Sequence, residues 1–315
     1  MKKARLRRTR QACAAIALLC FTAQILHAQR ASSDTVRVYY LGGQSNMDGF
    51  GYNSQLPDSL DGVNELVWIF HGNPLGDDLT GGGLGLWDKL QPGHGTGFRS
   101  DGSFNSLSDR FGVELSLARK LQELYPGERI ALIKYSRGGT SIDSLATGRF
   151  GCWEPDYHGS TGINQYDHFL RTVSSAMSTP DIDGDGNRDI LVPCGIVWMQ
   201  GESDASYTEE IASRYYSNLK RLMDLIRASF HTDDLPLVIG KISDSWNDSE
   251  DGKVWDHGEL VQYAQEKFAR TDGSAAIVRS TRYYLYSDPW HYDSKGYLDL
   301  GEKFAESLYR LSVNH

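Results

Sequence analysis

The 315-residue chain is poor in cysteine, with four in all, and two of them, Cys13 and Cys20, fall in the first 28 residues. Cys152 and Cys194 remain, enough for one disulfide in an exported protein or for two buried free thiols. No CxxC and no HExxH occurs, which excludes the common zinc sites. Long apolar runs are absent too. The uncharged stretch 12–23 is too short to span a bilayer, which takes roughly 20 apolar residues. From Thr35 onward there is no Pro- or Ser-rich linker and no internal repeat, so neither a tethered array nor a solenoid is indicated.

The first 28 residues differ from the rest. Lys2, Lys3, Arg5, Arg7, Arg8 and Arg10 precede the apolar stretch, and small residues ending at Ala28 follow it. This order is that of a secretory signal peptide, which predicts export to the periplasm or medium. The division expected is 1–28 signal and 29–315 one domain. Removing those six basic residues from the 32 leaves 26 against 41 acidic ones, a net charge of −15. Such a surface argues against nucleic acid, and against a membrane once the signal is cleaved.

What the chain does have is alternation. Apolar runs at 36–41, 65–70, 130–135, 190–199, 237–242 and 275–278 predict strands. Segments 113–125, 163–177, 207–230, 260–269 and 295–311 carry helical spacing. Near-continuous apolar strands separated by helices predict an α/β fold with a parallel sheet covered on both faces. Such sheets bind ligands beyond the carboxyl ends of their strands.

Polar clusters follow those strands. After the first comes Gly43-Gln44-Ser45-Asn46-Met47-Asp48-Gly49, in which Ser45 is placed to begin a helix and aim its N–H at a ligand. Alone, it would equally be a helix cap. After 130–135 comes Ser136-Arg137-Gly138-Gly139-Thr140, whose glycines permit a tight turn with exposed N–H groups. After 190–199 come Gln200, an amide donor, and Glu202. Near the end stands Asp288-Pro289-Trp290-His291, the one D-x-x-H in the chain. A serine nucleophile needs a base, and the base needs an orienting acid. Together the clusters supply Ser45, His291, Asp288 and amide donors.

These motifs in this order resemble the sialate O-acetylesterase and family 6 carbohydrate esterase group of the SGNH hydrolases. GQSNMDG (43–49), SRGGTSI (136–142), WMQGESD (198–204) and DPWH (288–291) look like its four sequence blocks. The resemblance implies a three-layer α/β/α sandwich with a flavodoxin-like parallel sheet. It implies hydrolysis of O-acetyl esters on sugars through an acetyl-enzyme, with no cofactor for catalysis. Ser45 matches the nucleophile, His291 the base and Asp288 its orienter. Ser45, Gly138, Gly139 and Gln200 match the oxyanion hole, and Glu202 a supporting position. The expected partner is an acetylated carbohydrate such as acetylxylan or a sialic acid. The competing readings are an esterase for another small acyl ester and a non-catalytic, calcium-dependent glycan binder.

Two further features stand apart. Asp181, Asp183, Asp185, Asn187 and Asp189 alternate at calcium-loop spacing, but the twelfth position is Val192 instead of a bidentate Glu. A structural calcium is the expectation there. Trp290 and Arg137 are the candidate substrate contacts, one beside the predicted base and the other beside a predicted donor.

Overall fold

The computed structural model describes residues 35–75, 81–159, 163–179 and 181–313, so residues 1–28, expected to be a signal peptide, lie outside the described residues. The sheet is built on β1, Thr35–Gly43. Its burial is nearly continuous, because both of its faces are covered. Helix α1, Ser45–Asp48, follows it at once. Then come β2 (Asn64–His71), β3 (Trp87–Leu90), α2 (Glu114–Leu124), β4 (Arg129–Ser136), α3 (Gln165–Ser178) and β5 (Ile190–Met199). The chain continues through α4 (Glu202–Ala205), α5 (Glu209–Ser229), β6 (Leu237–Gly240), α6 (Gly258–Thr271), β7 (Ala275–Val278) and α7 (Ser294–Val313).

The seven strands lie in the order β7-β6-β5-β1-β4-β2-β3. All neighbours are parallel except β3, which runs antiparallel to β2 on the edge. With the β2–β3 pair set aside, the remaining five follow the flavodoxin-like order, second-first-third-fourth-fifth. The expected sheet is therefore present, extended at one edge by a pair inserted between β1 and β4. The antiparallel strand β3 is not legible in the sequence: its four residues, Trp87, Asp88, Lys89 and Leu90, show no apolar run.

Consecutive tyrosines of β1 reveal the two covering layers, because successive side chains on a strand point to opposite faces. Tyr40 packs on Phe169 of α3, with ring centroids 4.9 Å apart. Tyr39 and Gly195 lie against the α7 side, where Leu308 reaches Gly195. α2 packs against α7 on that side, while α5 and α6 pack together elsewhere. Thr208 caps α5 by accepting from Ile211 N, as a threonine before a helix does. Among the described residues no helix is long and apolar enough to cross a membrane.

Strand register sets the site. Gly43 pairs with Ser136 on one side and with Met199 on the other, so β1, β4 and β5 end level. The order of connection reverses around β1, and the crevice at such a point is where open α/β sheets hold ligands. Gly43 has φ 143°, and a Cβ there would sit 1.9 Å from Met199 O, so only glycine lets β1 turn into α1 this close to β5. A buried ammonium holds the other end of α1. Lys134 of β4 donates to Asp48 O, His94 O and Glu114 Oε2, each at 2.8 Å, which uses all three of its protons. Removing one partner of this pair would leave the other charge buried and alone, at about 3–5 kcal/mol.

Candidate active site

Ser45 opens α1 at the end of β1 and is 8% exposed. No protein acceptor takes its N–H among the described residues, as expected of the first residue of a helix. The loop before α7, which Asn46 of α1 holds by hydrogen bonds to Trp290 O and Tyr292 N, carries the expected Asp–His couple. His291 Nδ1 lies 2.7 Å from Asp288 Oδ2. Asp288 Oδ1 accepts from the N–H groups of Trp290 and His291, each at 2.8 Å. Burial alone would raise the Asp288 carboxyl, but the bonds from His291 and these two N–H groups outweigh it, and its pKa lies below the usual range. The couple thus favours an ionised Asp288 and a proton on Nδ1. Nε2 has no partner among the described residues.

Phe50 lies flat against the imidazole, with centroids 3.5 Å apart and planes 4° from parallel. It fixes the ring plane. Sequence reasoning missed it, because a phenylalanine just past a glycine-rich block reads as ordinary core. Asn46 was also missed as an individual residue, though it stands inside the first block. Its Nδ2 donates to Glu202 Oε1 at 2.8 Å and to Trp290 O at 3.2 Å. Its Oδ1 accepts from Tyr297 OH at 2.8 Å and Tyr292 N at 3.3 Å. The residue after Ser45 therefore holds both chain neighbours of His291.

Glu202 opens α4 and is buried, with Oε2 lacking a partner. Burial pushes its carboxyl up to about 7, against the opposing bond from Asn46. Asp204, also unassigned by sequence, ties the second block to the third. It accepts from Ile142 N at 2.9 Å, Asp143 N at 3.0 Å and Gln200 Nε2 at 2.7 Å. Burial raises it to about 6, and these bonds limit the rise.

The four expected oxyanion donors are placed differently from one another. The N–H groups of Ser45 and Gly139 carry no protein partner among the described residues. Gly138 N–H donates to Asp48 Oδ2 at 2.7 Å. Gln200 is wholly buried, and its Nε2 faces Asp204 Oδ2, Thr140 O and Gln44 Oε1 at 2.7, 3.1 and 3.2 Å. Its position after β5 is as expected, but its amide hydrogens are directed into the protein.

Trp290 is 51% exposed beside the couple. Arg137 is half-buried, with its guanidinium 4.6 Å above the Phe150 ring and its Nε without a partner. Cys152 and Cys194 are both free thiols.

The acidic loop lies at the opposite end of the sheet, before β5. Asp181, Asp183 and Asp189 each bring an oxygen within 4.8 Å of the others. Asp185 and Asn187 bond to each other instead, at 2.9 Å. Arg129 bridges Asp183 and Asp189, at 2.6 Å to each.

The mostly parallel sheet, with five strands in flavodoxin-like order and helices on both faces, is the α/β sandwich expected of an SGNH-type hydrolase. Residues 35–310 match the family model described as carbohydrate esterase, sialic acid-specific acetylesterase, so the chain belongs to that family and is a carbohydrate esterase. Its fold is similar to that of an Arabidopsis thaliana protein, with TM-score 0.59 and 18% identity over 87% of this chain and 98% of that one. It is similar to NanS, with TM-score 0.57 and 15% identity over 90% of this chain and 99% of that one. It is similar also to a carbohydrate acetylesterase from Xanthomonas citri, with TM-score 0.56 and 16% identity over 88% of this chain and 57% of that one. No sequence among the curated proteins matches it.

Proposed function

We propose that this chain is an exported serine esterase that removes O-acetyl groups from a carbohydrate through an acetyl-enzyme. The observation that carries the reading is the clamp of Asn46 on both neighbours of His291, which fastens the Asp288–His291 couple to the turn that begins with Ser45. Ser45 Oγ attacks the acetyl carbonyl, and His291 Nε2 takes its proton and returns it to the departing sugar hydroxyl. Asp288 stays ionised and stabilises the imidazolium. The Ser45 N–H stabilises the oxyanion. Water then releases acetate by the same route. Trp290, exposed beside the base, is a stacking surface for the sugar ring, and Arg137 lies where an acidic sugar would meet a positive charge.

A structural calcium in loop 181–189 belongs to the same proposal. Its support is the convergence of Asp181, Asp183 and Asp189; with Arg129 between two of them, the group retains a formal excess of two negative charges. Oxygen ligands and that charge suit a hard divalent cation.

The deciding experiment is acetate release by the purified chain from p-nitrophenyl acetate, acetylxylan and O-acetylated sialic acid, beside Ser45→Ala. Turnover should fall by about 10⁶-fold in the variant, the scale known for loss of a serine nucleophile. Full activity in Ser45→Ala would end the reading, and the preferred polymer names the substrate class.

A further inference from the structure

We infer that the loop between β6 and α6 forms a second sugar subsite, with Trp246 as its stacking surface, and that this subsite makes an acetylated oligosaccharide a better substrate than an acetylated monosaccharide. The inference rests on the reading of the chain as a carbohydrate O-acetylesterase acting through Ser45. The loop, residues 241–257, leaves the carboxyl end of β6, and Arg282 follows the carboxyl end of β7. β6 is parallel to β5 and β7 to β6, so both segments stand at the end of the sheet where Ser45 stands. Between them lies a cavity of about 250 Å³, bordered by Trp246, Trp255, Gln262 and Arg282. Ser245 Oγ donates to Pro289 O at 2.8 Å, which ties the loop directly to the turn of Asp288 and His291. With that bond made, the Cα atoms of Trp246 and Trp290 are no more than about 15 Å apart, a span that a short oligosaccharide bridges.

Trp246 is held in a strained conformation. Its φ is 57°, in the left-handed region that disfavours a bulky side chain. Asp244 fixes it there, its carboxylate accepting from Trp246 N at 2.8 Å, Trp255 N at 2.9 Å and Val254 N at 3.1 Å. The indole gains nothing from this internally. It is 65% exposed, with no ring partner and no hydrogen bond among the described residues. Strain kept for an outward-facing group points to a ligand. Polar groups stand beside it. Arg282 lies over the Tyr283 ring at 4.5 Å and donates to Tyr283 OH, but it has no carboxylate partner among the described residues. Gln262 Nε2 is taken by Ile242 O at 3.0 Å, which leaves Oε1 as an open acceptor. An aromatic face with a donor and an acceptor at its rim matches a pyranose, which has an apolar face and a rim of hydroxyls. In a carbohydrate esterase, with Trp290 on the adjoining turn, the occupant is a sugar unit of the same glycan beyond the acetylated one.

The test compares kcat/KM within two substrate pairs: acetylated xylohexaose against acetylated xylose, and O-acetylated sialyllactose against free O-acetylated sialic acid. In the parent chain the longer member of one pair should be favoured by about tenfold, the scale of one aromatic contact. Trp246→Ala should abolish that preference, and Trp246→Tyr, which keeps a stacking face, should retain most of it. Trp246→Gly removes the ring and the strain together, so it should lose the preference with a Tm no lower than the parent's. A parent chain without preference in either pair overturns the inference, as does Trp246→Ala with the parent's preference. So does loss of the preference in Trp246→Gly only with a fall in Tm and no rescue by Trp246→Tyr, which is the behaviour of a structural residue. Release from p-nitrophenyl acetate, which has no second sugar, separates the two levels: if Ser45→Ala abolishes it, the esterase reading stands whatever Trp246 does.

Discussion

Asn46 Nδ2 donates to Glu202 Oε1 at 2.8 Å in a setting where both side chains are 1% exposed. This bond joins the turn after β1 to the turn after β5. The remaining bonds of Asn46 reach the loop of His291 and Tyr297 of α7, so one amide connects three of the four polar clusters. The fourth is joined through Asp204, which accepts from Ile142 N, Asp143 N and Gln200. The site is thus fastened by buried hydrogen bonds between loops, and the sheet beneath supplies their common level.

Asn46→Ala should therefore damage both geometry and stability. It leaves Glu202 Oε1 and Tyr297 OH without their partner, at about 1–3 kcal/mol for each buried group left unpaired. It also frees the His291 loop from the nucleophile's turn. A displacement of about 1 Å between reacting groups costs on the order of 10²-fold. The expected outcome is kcat lower by about 10–10²-fold and a lower Tm, measured by acetate release and thermal melting. Unchanged kcat would mean that the loop holds its place without Asn46.

Asp288→Asn should cost more in rate and little in fold. An amide at this position keeps the side chain's shape but favours the wrong imidazole tautomer, an exchange that costs about 10⁴-fold in serine triads. Single-turnover acylation with p-nitrophenyl acetate reads this directly. A loss below about tenfold would remove Asp288 from the role of orienter.

Most of the sheet was legible because its strands are buried on both faces and so appear as near-continuous apolar runs, as in β1 and β4, interrupted only by Arg37 and Lys134 within 36–41 and 130–135. The edge strand β3 was not, because three of its four residues are only partly buried and two of these are Asp88 and Lys89. The Asp288–His291 pairing was legible because it is local, three residues apart. The stacking of Phe50 on His291 and the grip of Asn46 were not, because contacts between segments at opposite ends of the chain leave no trace in spacing. Gln200 shows the remaining limit. Sequence placed it at the right strand end, but the direction of its amide is set by its contacts with Asp204 and Thr140, which motif spacing does not reveal.

Loop 181–189 gives a prediction independent of catalysis. If calcium sits among Asp181, Asp183 and Asp189, EDTA should lower Tm by several degrees, and added calcium should restore it with esterase kinetics of the folded enzyme unchanged. Ligand binding to the native state alone stabilises it by about 2.7 kcal/mol at a hundredfold excess over Kd. A Tm indifferent to EDTA, with no metal in the purified protein, would leave Asp183 and Asp189 balanced by protein cations such as Arg129, which pairs with both.

Glu202 should make stability depend on pH in a specific direction. Burial holds its carboxyl near 7 in the folded protein, above its ordinary value of 4.5. Between those two values the folded state retains a proton that the unfolded state has released. Stability therefore falls as pH rises through this window and levels off above it. The shift corresponds to about 3 kcal/mol, at about 1.4 kcal/mol per pH unit. Asp204, raised from 3.8 to about 6, adds a slope of the same sign at slightly lower pH. Glu202→Gln keeps an oxygen that accepts from Asn46 and cannot ionise. Its unfolding free energy, measured by urea titration from pH 4.5 to 8, should show a shallower decline than that of the parent chain, leaving the part due to Asp204. Parallel curves for the two proteins would mean that Glu202 titrates near 4.5 in the folded state and that its buried oxygen is reached by water.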